Sequence, residues 1–226
     1  MSPLSGQRTA KKILAACAAL AAVLAAGTPA HAQYVQIQSF EVTPFVGVRF
    51  GGTFSVQGQD GAPAEARLKD ASSYGVSAGV RFDDLSLVEF RWTQSRPDLQ
   101  LGGSALQPSG ATLDVTLNQF HADFTREFEI PEVKGLRSFL MLSVGATNVA
   151  VPGDGFTRFS FGFGAGLKQS LGSRLAIRGE AHWLPIWIDP DVSGWACGTL
   201  GGGCLVVLSG HLTEQWELSV GPVLRF

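Results

Sequence analysis

Long apolar runs are missing from most of this 226-residue chain. Beyond Ala32 no stretch of about 18 uninterrupted apolar residues occurs, so nothing there can cross a bilayer as a helix. Helical periodicity is missing as well, since nowhere in that region do apolar residues recur every three to four positions. Basic residues are few. With Arg8, Lys11 and Lys12 in the N-terminal segment, 14 of the 17 basic residues remain against 19 acidic ones, a net charge of −5. That balance argues against nucleic acid as a partner and against a basic membrane-surface patch. Cysteine is scarce too: of three, Cys17 lies in the N-terminal segment, leaving Cys197 and Cys204. With no histidine pairs beside them, no metal site or other cofactor is expected.

The N-terminus carries the first positive signal. A basic segment, an apolar run from Ile13 to Ala26, and Ala30-His31-Ala32 together make a secretory signal peptide over residues 1–32, cleaved after Ala32. Leu14-Ala15-Ala16-Cys17 fits a lipoprotein signal locally. Only Ile13 and Leu14 separate Lys12 from Ala15, however, which is too short an apolar segment for that use. Export makes a disulfide between Cys197 and Cys204 the expected fate of the two remaining cysteines, closing a small loop.

From Phe40 onward the chain alternates with a period of two, in eight segments bounded by turn residues. The sixth is the clearest: Phe159, Phe161, Phe163, Ala165 and Leu167 take one face, while Arg158, Ser160, glycines and Lys168 take the other. The last, ending at Phe226, puts Trp216, Leu218, Val220, Leu224 and Phe226 opposite Glu217, Ser219 and Arg225. In the fourth, the apolar phase changes from odd (Leu113, Val115, Leu117) to even (Phe120, Ala122, Phe124), which predicts a β-bulge near Asn118 or Gln119. Connections at one end are mostly long and rich in glycine, proline and serine, and those at the other are mostly tight. The expected fold is all-β: an eight-stranded antiparallel up-and-down transmembrane barrel over residues 40–226, after a short lead at 33–39.

Alternation alone leaves open which way the greasy face points. A soluble, lipocalin-like periplasmic carrier would turn it inward around a ligand. Three features favour outward: segments of about ten residues, long enough to cross a bilayer at a tilt; aromatics near segment ends, as interfacial girdles require; and a polar face where glycine alternates with single charges of both signs. On that phasing Arg178, Glu180, His182, Glu217 and Arg225 form an interior charge network with Glu41, Arg49, Arg81, Glu89, Arg91, Arg158 and Lys168. Charges in a narrow lumen must pair, because an isolated one is too costly. The main reading is therefore a salt-bridge plug, with a small gated ion path as its rival.

"EVTPFVGVRFGG" (Glu41 to Gly52) and "LSVGPVLRF" at the end carry a resemblance to the small outer-membrane β-barrel proteins of Gram-negative bacteria, OmpX/OmpA-like, within the outer membrane protein beta-barrel domain group. The resemblance spans Phe40 to Phe226. It implies the cell outer membrane as location, with outer-membrane lipid and lipopolysaccharide as surroundings, and a monomer as the expected state. It also implies that Phe226, supported by Leu224, Val220 and Trp216, is read by the barrel-assembly machinery during insertion. With the eighth segment as the last, anchoring to the cell wall through a peptidoglycan-binding domain is not expected.

Some barrels of this size act on lipid A, which needs a serine activated by histidine with a carboxylate orienting the base. The His-x-Ser arrangement is absent: position 184 is Leu184 after His182, Asp123 follows His121, and Thr213 follows His211. The expected role is non-enzymatic, structural or surface-interacting, through long extracellular loops. A lipid A-modifying enzyme and a soluble lipocalin-like carrier are the alternatives.

Overall fold

The computed structural model describes residues 37–57, 63–101, 112–151, 154–187, 193–196, 205–208 and 212–226. The expected signal peptide, most of the expected short lead, Cys197, Cys204 and His211 lie outside the described residues.

Eight strands form a closed antiparallel barrel: β1 (Ser39–Gly51), β2 (Ala71–Arg81), β3 (Ser86–Ser95), β4 (Thr116–Glu129), β5 (Leu136–Val151), β6 (Asp154–Ser170), β7 (Leu175–Trp183) and β8 (Gln215–Arg225). Each pairs with its sequence neighbour, and β8 returns to β1 with Val46 opposite Val220 and Arg49 opposite Glu217. Just past this ladder, Phe40 and Phe226 exchange backbone hydrogen bonds of 2.9 and 3.1 Å. Closure leaves neither β1 nor β8 as a free edge, which is the condition for burying strands in hydrocarbon. Cross-strand partners followed once round run from Ala71 through Arg49, Glu217, His182, Gly164, Met141, Thr125 and Leu87 to Arg81. That path returns to β2 ten residues from its start (71 to 81). A stagger of this size tilts the strands by about 40° from the barrel axis.

Burial alternates along the strands with polarity inverted relative to a soluble protein. In β8, Trp216, Leu218, Val220 and Leu224 are exposed, while Gln215, Glu217 and Ser219 are buried. The same holds for Phe90 against Glu89 and Arg91 in β3, and for Leu142 and Val144 against Met141 and Ser143 in β5. An exposed belt of this composition is stable only against an apolar solvent. The outward orientation therefore replaces the lipocalin-like alternative.

The predicted bulge near Asn118 or Gln119 does not exist. Strand β4 keeps one unbroken register with β3 from Leu117 to Arg126 and with β5 from Thr116 to Glu129. The apolar phase changes because the lumen lining itself changes: Val115 and Leu117 point inward, like Gln119 and His121, but belong to an apolar cluster with Leu68 and Val149.

The long connections are also more ordered than loops. They contain Thr53–Gln57, Pro63–Leu68, Asp98–Leu101, Thr112–Asp114, Ser193–Ala196 and Leu205–Leu208, joined in one six-stranded sheet. Its order runs 193–196, 205–208, 53–57, 63–68, 98–101, 112–114, so three separate connections build one surface. The fifth connection departs from the pattern of long connections at this end, since β5 and β6 run on to pair Val151 with Asp154. Strand β7 stops at Trp183 because Pro185 lacks a backbone donor. Pairing is nonetheless kept by Leu184 N–H to the Gln215 carbonyl (2.8 Å) and Phe161 N–H to the Pro185 carbonyl (3.3 Å).

Candidate functional site

The interior of the barrel is the candidate site, and every strand contributes to it through the residues on its inward face. At the end with the tight turns, Glu41 accepts from Arg81 (3.1 Å), Lys168 (2.5 Å) and Arg225 (3.0 Å). Glu127 shares two of those donors, Arg81 at 2.7 Å and Lys168 at 2.9 Å, and adds Arg137 at 3.1 Å. Two carboxylates thus bridge four strongly basic groups, the six residues coming from six different strands.

One level deeper a second cluster forms. The Arg178 guanidinium donates to both oxygens of Glu89 (2.8 and 2.9 Å), and its Nε lies 2.9 Å from Glu180. Arg91 donates to Asp123 through Nε at 2.7 Å and holds Glu180 through both Nη atoms. Ser77 and Thr125 complete Glu89, and Ser219 completes Glu180. A third pair, Arg49 with Glu217, is two-pronged at 2.6 and 3.1 Å. Such pairs offset their desolvation only when geometry is good and the remaining lone pairs are met. For Glu89 and Glu180 the hydroxyls supply that completion.

Space for these side chains comes from glycines on adjacent strands. A Cβ on Gly75 would fall 2.6 Å from the Phe45 ring, and one on Gly166 would fall 2.4 Å from the Phe139 ring. Those two inward rings lie flat enough to carry Arg91 and Arg178 on their faces, 4.8 and 4.4 Å from the ring centroids. The alternation of glycine with long charged residues therefore has a packing cause: ring over glycine, guanidinium over ring.

Of the interior residues expected from the sequence, Arg178, Glu180, His182 and Glu217 are buried in the lumen, and Arg225 sits at its turn-end mouth, 26% exposed. Arg178 and Glu180 meet directly, and Glu217 takes Arg49 instead. His182 joins no carboxylate and contacts the Ser143 hydroxyl at 3.0 Å. Arg158 stacks on Phe156 at 4.8 Å and makes no ion pair among the described residues. Asp123, Glu127, Arg137 and His121 are interior residues that the sequence reading missed. Reading the odd positions straight through from Val115 to Glu127 would have found three of them.

Two serine–histidine contacts cross strands: Ser143 with His182, and Ser160 with His121 at 2.9 Å. Neither has the order that nucleophilic catalysis needs. Asp123 is engaged by Arg91 rather than by either histidine, and the Nδ1 atoms of both rings have no partner carboxylate among the described residues. All five groups are buried inside the barrel.

A closed, lipid-facing antiparallel barrel with a charge-filled interior is an integral β-barrel of the outer membrane. The chain belongs to the outer membrane protein beta-barrel domain family, whose sequence profile matches residues 18–195. It is a small barrel of the Gram-negative type, located in the cell outer membrane. No curated protein matches the chain in sequence. Among solved structures it is similar to the outer membrane protein OprG from Pseudomonas aeruginosa, at 12% identity and a TM-score of 0.57, over 83% of this chain and 95% of that one. It is also similar to neisserial surface protein A, at 16% identity and a TM-score of 0.51, over 83% of this chain and 97% of that one. A third is the outer membrane protein AlkL, at 14% identity and a TM-score of 0.52, over 88% and 95%. At such identities the likeness is one of fold.

Proposed function

We propose that this protein is a non-enzymatic barrel whose interior is a structural plug and whose six-stranded outer sheet is a surface for interaction outside the cell. The observation that carries the reading is the mutual pairing of the interior charges. Glu41, Glu89, Asp123, Glu127, Glu180 and Glu217 each meet a buried arginine or lysine. A plug held by that many mutual contacts opposes steady ion flow, and an eight-stranded wall leaves little room beside it. Planar-bilayer recording of the purified protein tests this. The expected record shows no sustained conductance, and a stable open level would establish the rival ion path.

The same reading places the tight turns in the periplasm and the outer sheet outside, amid lipopolysaccharide, with the chain acting as a monomer. Removal of residues 1–32 and recognition of Phe226, with Leu224, Val220 and Trp216, by the assembly machinery belong to this proposal. A Cys197–Cys204 disulfide belongs to it as well. Ala196 and Leu205, the residues flanking the two cysteines, are cross-strand partners, which supports that pairing. Intact-mass measurement with and without reductant checks it: the unreduced protein should be lighter by two hydrogens, and equal masses would refute the bridge.

A further inference from the structure

One seam of the wall is unlike the rest. Every other seam joins strands consecutive in sequence, whereas β1 meets β8, with Arg49 facing Glu217 although they are 168 residues apart. Proline is confined to the same two strands. Pro44 in β1 and Pro222 in β8 are the only prolines in the eight barrel strands.

Their placement is matched. Phe40 and Phe226 exchange backbone hydrogen bonds across the seam, and in an antiparallel pair such exchanges recur at every second residue. The next positions are Val42 with Leu224, then Pro44 with Pro222, then Val46 with Val220. The ladder holds at the first and third of these and is broken between them. Both donors are missing at the middle position because neither proline has an N–H. Pairing on the other side of each strand is intact: Pro44 stays in register with Val76 of β2, and Pro222 with Ile177 of β7. Each missing donor therefore belongs to this seam. The break is one of hydrogen bonding, not of packing, since a Cβ on Gly221 would fall 2.1 Å from the Pro44 carbonyl oxygen. The ladders from β1 through β6, and that of β7 with β8, have no such break. The ladder of β6 with β7 is interrupted only beyond Trp183, at Pro185.

In the finished barrel the proline pair removes two hydrogen bonds from a wall that lies in hydrocarbon, where unpaired backbone is most costly. Its use lies one step earlier. Contacts this distant in sequence carry the largest loop-closure entropy, so the sheet has β1 and β8 as free edges until this seam forms. Both edges are rich in apolar residues, with Val42, Val46 and Val48 on one and Leu218, Val220 and Leu224 on the other. Such edges are templates for pairing with another chain. Proline with its nitrogen turned off the sheet is tolerated on a free edge and denies a foreign strand a full ladder.

We propose that Pro44 and Pro222 guard the two edges of the unclosed barrel against strand pairing with a second unclosed copy of this chain. Because the two missing donors coincide when β1 meets β8, the closed seam is interrupted once rather than twice.

The test compares wild type with Pro44→Val/Pro222→Val, which regains both donors and keeps apolar side chains toward lipid. Each purified protein is diluted from urea into phospholipid vesicles over a range of chain concentrations, and the sedimenting aggregate is measured. The double variant should lose at least about twofold more chain to aggregate, increasingly so at higher concentration, as unguarded edges require. Its folded fraction should be no less stable in urea, and the Val42 and Leu224 amides should exchange about tenfold more slowly, as two regained hydrogen bonds imply. Pro131→Val, in the turn between β4 and β5, should aggregate like wild type. Three results would each overturn the proposal: aggregation no greater than wild type, equal aggregation by Pro131→Val, or a double variant whose folded barrel unfolds at lower urea. The last would trace the aggregate to a weakened barrel instead of to its edges.

Discussion

Replacing Arg91 by methionine puts the most weight on the interior network, because this one guanidinium serves two carboxylates and a ring. Asp123 would lose its 2.7 Å donor, and Glu180 would keep only Arg178 and Ser219. The stacking on Phe45 would go as well. Methionine fills similar volume, so the change is chiefly electrostatic. Breaking one partner out of a buried ion pair costs about 3–5 kcal/mol, because the charge left behind stays desolvated. With a urea slope of roughly 1–3 kcal/mol per molar, the unfolding midpoint should fall by about 1–5 M. Tryptophan fluorescence of the barrel in phospholipid vesicles reads that midpoint, since Trp92, Trp183 and Trp216 are on its strands. Adding Asp123→Asn removes the stranded charge, so the double variant should recover part of the loss, about 1 kcal/mol or more of coupling. An Arg91→Met protein with the wild-type midpoint, or a double variant no better than the sum of its parts, would refute the reasoning.

Three further outcomes are expected. Gly166→Val should cut the yield of folded barrel sharply, because its Cβ would fall 2.3 Å from the Gly179 carbonyl and 2.4 Å from the Phe139 ring; the heat-sensitive gel band measures it, and normal yield would show that the ring can move. At the turn after β2, the backbone N–H of Leu85, helped by that of Ser86 and by Arg126, holds the Asp83 carboxyl below its ordinary 3.8. Its contribution to turn stability is therefore complete above about pH 4 and fades as pH falls through the lowered value, so Leu85 amide protection should drop only under acid; loss already near neutral pH would contradict this. Deleting Phe226, 74% exposed beyond β8, should slow assembly in cells more than it lowers the stability of the folded barrel, as pulse-chase and urea titration together would show. Equal effects on both would assign the residue a packing role instead.

Much of this molecule was legible because a lipid-facing strand must alternate without interruption, and its lumen face then follows by parity. The β6 run of phenylalanines sets a phase that the structure keeps from Gly155 to Lys168. Parity failed where the solvent inside the barrel changes. Leu117 and Val149 point inward and are apolar because they close the lumen, so a reader expecting polar interiors sees a slipped phase and loses His121, Asp123 and Glu127. Pairing among interior charges was not legible either. It depends on shear, which sets Arg91 of β3 beside Glu180 of β7, residues 89 apart in the chain. The outer sheet was hidden for a different reason: its strands are short, drawn from three connections, and interrupted by glycine and proline. Only Leu205–Leu208 is continuously apolar.

The claim that the eight strands close into a stable membrane barrel is tested most directly by the protein's mobility on SDS gels before and after boiling. A sealed barrel with β1 paired to β8 resists detergent at room temperature, so the unboiled outer-membrane fraction should run at a different mobility from the boiled one. A single band at the same position in both lanes would contradict the account.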